Sequence, residues 1–178
     1  MVWVMFALLM ASVIYAQYAE AKTANEIDAS VNEAINRFSK QVDDAEELMN
    51  QAEAVLVMPN LTKAGFVAGG EYGEGALRVG GKTKGYYNLI AGSVGLTFGP
   101  EEMDIIIAFM TEDALKSFQN VGGWEVGVDS NVSLIYIGAE KRLDTTKLKD
   151  PIFGFVFDAK GLILKTSLRG AKFTEIKR

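Results

Sequence analysis

The sequence predicts an α+β fold: a long N-terminal amphipathic helix packed on a many-stranded, mainly antiparallel, glycine-rich sheet, with one further short helix. Three observations carry it. A helical apolar stripe runs unbroken by glycine or proline from Thr23 to about Glu53, short β-rich runs divided by glycine fill the chain after Pro59, and one capped helical segment interrupts them at Thr111 to Asn120. With 178 residues, 49% of them hydrophobic, the chain is long enough for one packed core, so positions 22–178 read as a single domain.

In chain order, the first nineteen residues carry no charge, and Ala19-Glu20-Ala21 is a small-x-small step of the kind a signal peptidase cuts. Residues 1–21 are expected to be a signal peptide cleaved after Ala21, which makes the protein exported and periplasmic. An uncleaved membrane anchor is the alternative, since spanning takes about 20 apolar residues. The leading helix, 22–53, shows Ile27, Val31, Ile35, Phe38, Val42, Ala45, Met49 and Ala52 at steps of three and four. Glu33, Arg37, Lys40, Asp43, Asp44, Glu46 and Glu47 fall on its other side, a mostly acidic face unlike the basic one of membrane-surface helices.

The β-rich body, 54–178, opens with Ala54–Met58, Gly65–Gly69, Gly75–Val79, Tyr86–Phe98 and Met103–Met110 as expected strands. Thr111 caps a short helix with Glu112 and Asp113 in its first turn. Five further β-rich runs follow, beginning at Trp124, Asn131, Ile152, Gly161 and Ala171, with Asp158 and Gly161 bounding a hairpin turn.

Composition removes much chemistry. There is no cysteine and no histidine, so disulfides, thiolate nucleophiles, Cys/His metal sites and Ser-His-Asp relays are excluded. Ala76 to Thr83, ALRVGGKT, fits a loose phosphate-loop pattern, but that loop needs a helix after it, and Lys84-Gly85-Tyr86-Tyr87 is turn and strand chemistry. Gly80-Gly81 reads as a hairpin turn, and neither nucleotide nor dinucleotide binding is expected. The acidic runs Asp43 to Glu47 and Glu101, Glu102, Asp104 read as solvated surface rather than acid-base pairs, and the second lacks the alternating oxygen ligands of a Ca²⁺ loop. No catalytic residue, metal ligand or cofactor is expected, and the protein is not read as an enzyme.

Charge is distributed unevenly. Lys22 to Gly138 holds 8 basic and 17 acidic residues, whereas Ala139 to Arg178 holds 10 basic and 5 acidic. Lys141, Arg142, Lys147, Lys149, Lys160, Lys165, Arg169 and Lys172 form the anion-contacting set, with Lys160, Lys165, Arg169 and Lys172 the lipid-binding candidates. Nucleic acid is a poor partner for a chain of net charge −5, and an anionic phospholipid or membrane surface a better one.

The glycine-rich centre, KAGFVAGGEYGEGALRV from Lys63 to Val79, resembles the signature of the SYLF domain family in Lys63-Ala64-Gly65-Phe66 and Tyr72-Gly73-Glu74-Gly75. The likeness extends to the strand and Pro59-Asn60 turn upstream and to AGSVGLTFGPEEMDIIIAFMTEDAL downstream, covering roughly residues 24–172. It implies a non-catalytic phospholipid or membrane-surface binder, lipid-associated in exported bacterial members and tied to actin-linked trafficking in eukaryotic ones. Lys63, Gly65, Phe66, Gly70, Tyr72, Gly73 and Gly75 are then mainly fold-defining, their glycines letting strands bend and approach one another, and Tyr72 is expected to be buried with its hydroxyl capping a turn. A structural or assembly module binding a protein partner through a sheet edge or the acidic helix is the alternative.

Overall fold

The computed structural model describes residues 21–65, 68–94, 101–137, 148–157 and 168–178. Helix α1 (Ala24–Gln41) starts at a capping box in which Thr23 Oγ1 accepts from the Glu26 amide and the Glu26 carboxylate accepts from the Thr23 amide. The carboxylate is held below its usual pKa chiefly by that backbone bond. The single helix expected over 22–53 is two. Val42 takes an extended conformation and caps α1, and α2 (Ala45–Gln51) starts afresh. The apolar stripe hides this break because Phe38, Val42, Ala45 and Leu48 are all buried in one cluster on either side of it.

Strands β1 (Ala54–Gly65), β2 (Ala68–Val79), β3 (Lys82–Val94), β4 (Glu101–Phe109), β5 (Trp124–Glu125), β6 (Ser133–Tyr136), β7 (Ile152–Phe157) and β8 (Lys172–Ile176) form one sheet in the order β5-β8-β3-β2-β1-β4-β7-β6. Every pairing is antiparallel except β6 with β7. Helix α3 (Glu112–Asn120), capped by Thr111 as predicted, lies between β4 and β5. Of the runs expected as strands, Gly65–Gly69 is instead divided between β1 and β2, which pair Gly65 with Gly69. The expected Asp158–Gly161 hairpin lies outside the described residues.

Burial on both faces explains the unbroken apolar runs of β1, β4 and β7. Val55, Val57, Ile106, Ala108, Phe153, Phe155 and Phe157 meet α1 and α2 on one face, which we call the helix face. Leu56, Met58, Ile105, Ile107 and Phe109 turn to the other, where Phe118 of α3 packs with Trp124 and Phe173. The sheet curls enough for Leu168, just ahead of β8, to lie against Gly154 of β7 near the opposite edge. Pro59 and Asn60 form a bulge within β1 rather than a turn: the register shifts there on both sides, and Asn60 has φ 51°. The β2–β3 connection is the expected two-residue turn, with φ of 55° at Gly80 and 77° at Gly81.

Candidate functional site

Register, not sequence proximity, assembles the candidate site. Tyr72 of β2 stands opposite Ile90 of β3, and Ile90 opposite Lys172 of β8, so the three share one row across the helix face of the sheet. Helix α1 does not reach this row: Tyr72 is 50% exposed, Ile90 is 57% exposed and Lys172 is exposed. An aromatic with a polar tip, a branched aliphatic and a cation side by side form an amphipathic ledge.

In the next row of the same face, Glu74 is buried. Its Oε1 accepts from the Tyr72 hydroxyl at 3.0 Å and from Nη2 of Arg178. Tyr72 is therefore corrected from a buried, turn-capping tyrosine to a half-exposed one anchored by its hydroxyl. Partial burial raises its pKa, and the hydrogen bond to Glu74 adds to the rise. Among the motif glycines, packing is tightest at Gly75, where a Cβ would sit 2.0 Å from the Val57 carbonyl oxygen, and at Gly73, where it would run into the Leu61 side chain. Gly70 has room for a Cβ, so close approach does not require it. Lys63 and Gly65 lie in β1; Phe66 lies outside the described residues.

Of the four basic lipid-binding candidates, Lys160 and Lys165 lie outside the described residues. The other two lie at the β5 edge of the sheet. The Lys172 stem lies over Gly123 and the Arg169 stem over Gly127, flanking β5. A cation thus stands on either side of β5.

Two polar clusters escaped the sequence reading. Asp104, expected as solvated surface, is buried: Arg37 Nε donates to Oδ2 at 2.7 Å, Arg37 Nη2 donates to Oδ1 at 3.0 Å, and the Asn60 amide donates to Oδ1 at 2.9 Å. The hydrogen bond to Asp104 raises the Arg37 pKa further. This pair fastens α1 to β4. At the other end of α1, Asp28 accepts from Arg78 at 3.0 Å, Thr83 at 2.7 Å and Tyr86 at 2.9 Å, tying the helix to the β2–β3 hairpin. Asp104 was misread because its partner is 67 positions away. Only the bulge at Asn60 and the register of β1 against β4 bring them together.

The sequence model of the Ysc84 family, described as a Las17-binding protein actin regulator, matches residues 90–178. That is half of the chain, and it holds Ile90, Arg169 and Lys172. The chain belongs to this family. It is the family to which the motifs point under the name SYLF, although Lys63 to Gly75 lies ahead of the matched residues. Comparison with curated proteins gives no match. No helix among the described residues of this family member is long and apolar enough to cross a membrane.

Proposed function

We propose that this protein is a non-catalytic module that binds anionic phospholipid surfaces, acting after export in the cell envelope. The observation that carries the reading is the exposed row Tyr72, Ile90, Lys172, with Arg169 also exposed at the β5 edge. Tyrosine and isoleucine gain by entering the interface between headgroup and acyl chain, and each nearby lysine or arginine contributes about 1 kcal/mol at an anionic surface. The acidic exposed side of α1, with Glu33, faces water in this arrangement.

The test is co-sedimentation of the full chain with zwitterionic and with anionic phosphatidylglycerol vesicles, at low and moderate salt. Variants share residues 1–21, so differences between them report on the ledge. Binding is expected with anionic vesicles, fading as salt rises, and falling about tenfold in both Ile90→Ser and Lys172→Glu. Equal binding by the wild type and both variants, or no binding at all, overturns the reading.

A second reading has support in the family description, which names a protein partner and actin regulation. Here the chain docks a protein through its acidic helix or through edge strand β6. Association with a partner that ignores lipid charge and survives Lys172→Glu would favour it.

A further inference from the structure

Next to the ledge, Glu74 and Arg178 form an ion pair between residues 104 positions apart. Arg178 lies two residues beyond β8 and reaches across the sheet to β2. The Glu74 side chain is 4% exposed and that of Arg178 18%. A carboxylate so buried keeps its charge and its place only against a cation.

The oxygen that meets Arg178 also holds the ledge. Arg178 Nη2 donates to Glu74 Oε1, and the Tyr72 hydroxyl donates to the same atom at 3.0 Å. Tyr72 and Glu74 stand two apart on one face of β2, so a hydroxyl that reaches Glu74 lays the tyrosine ring along the strand, with half of the residue still in water. Partial burial and the bond to Glu74 both raise the phenol pKa, which keeps the hydroxyl a donor at neutral pH.

Without Arg178, the Glu74 carboxylate either takes up a proton or turns out to water. In both cases the Tyr72 hydroxyl loses its ionised acceptor. A tyrosine freed of that tether must be ordered again each time it enters an interface, which costs affinity.

We propose that Arg178 is a positioning residue for the ledge: acting through Glu74, it holds the Tyr72 ring in the orientation that docks on a lipid surface. The proposal rests on the lipid reading above and deepens it, because it gives a role to a cation that is itself largely buried.

The experiment joins side-chain NMR of the labelled full chain, without lipid, to co-sedimentation of the same protein with phosphatidylglycerol vesicles. Three-bond couplings across the Cα–Cβ bond of residue 72 are expected to report one rotamer in the wild type and in Arg178→Lys, which keeps the charge, and rotamer averaging in Arg178→Met and in Tyr72→Phe. Vesicle affinity is expected to fall about fivefold in Arg178→Met and equally in Tyr72→Phe, with no further loss when the two are combined. Hydrophobicity alone would make Tyr72→Phe bind more tightly. Tyr72→Phe keeps the buried pair, and Glu74→Leu combined with Arg178→Met removes the pair without leaving a buried charge, so both read the tether on a folded protein; the second is expected to show the same averaging and loss. A single rotamer in the variants that lack the pair, unchanged or tighter binding by Tyr72→Phe, or additive losses in the combination of Arg178→Met with Tyr72→Phe would overturn the proposal and leave the lipid reading standing. Absence of vesicle binding by the wild type would overturn the lipid reading, and this role of Arg178 with it.

Discussion

The two halves of the helix face are built from the same sheet and treated in opposite ways. Over β1, β4 and β7 the face is sealed: Phe38 sits 5.3 Å from the rings of both Phe155 and Phe157, and Arg37 clamps Asp104. Over β2, β3 and β8 it becomes bare past Tyr86, and Tyr72, Ile90 and Lys172 meet water. The boundary is set by where α1 lies, with Asp28 tied to the β2–β3 hairpin and Arg37 tied to β4. Such a division separates stability from surface chemistry. Side chains in the sealed half should control folding and leave vesicle binding alone, and those in the bare half should do the reverse.

The hardest test of that separation is Phe38→Ala, which is expected to cost about 4 kcal/mol in urea unfolding with no change in vesicle affinity while the protein remains folded. A loss under 1 kcal/mol would mean that the helix does not seal the sheet. Next, Asp104→Ala removes the buried partner of Arg37 and leaves it Glu33 at 3.8 Å and Asn60 Oδ1 at 3.4 Å; it is expected to cost about 3 kcal/mol, most of it recovered in Asp104→Ala combined with Arg37→Met. If the double variant is as unstable as the single one, the clamp is not an ion-pair effect.

A pH series sharpens the comparison from below, because Tyr87 lies under the bare half on the opposite side of β3. Burial, with Glu175 contributing, pushes its pKa up from 10.0 to about 12. The folded state thus prefers the neutral phenol, so its stabilisation is intact below pH 10 and disappears as pH rises towards 12. Unfolding free energy is expected to fall by on the order of 2 kcal/mol across that window, followed by urea midpoints, and Tyr87→Phe should flatten the fall. An unchanged slope in Tyr87→Phe would assign it to other groups. The smallest effect belongs to Ile90→Ser, expected to shift stability by no more than about 0.5 kcal/mol while weakening anionic vesicle binding about tenfold. A stability loss comparable with that of Phe38→Ala would erase the distinction between the halves.

Much of the scaffold was legible in the sequence. The Ile27, Val31, Phe38 stripe marks the helix, Thr111 with its acidic first turn marks α3, and Gly80-Gly81 marks the tightest reversal, because each depends on neighbours a few positions apart. The break at Val42 was not, since its apolar residues keep helical spacing through it. The ledge was only partly legible. Lys172 and Tyr72 stand out by charge and motif, but Ile90 looks like any strand residue until the register places it between them. Asp104 was misread for the same reason, because burial of a carboxylate depends on an arginine that only the folded sheet supplies.

The Gly80-Gly81 turn has a kinetic consequence. It closes a hairpin whose pairings run from Val79 with Lys82 out to Ala68 with Val94, and β1 and then β4 join the growing sheet at its β2 side. Strand β1 lies next to β2 along the chain and closes a short loop, whereas β4 reaches β1 across the whole β2–β3 hairpin, from Lys63 with Glu101 to Ala54 with Phe109. Strand β8, which must return to β3 from the far end of the chain to complete the Tyr72, Ile90, Lys172 row, closes the longest loop in the sheet. The ledge is therefore expected to be the last part of the sheet to assemble during folding, after the scaffold of β1, β2, β3 and β4.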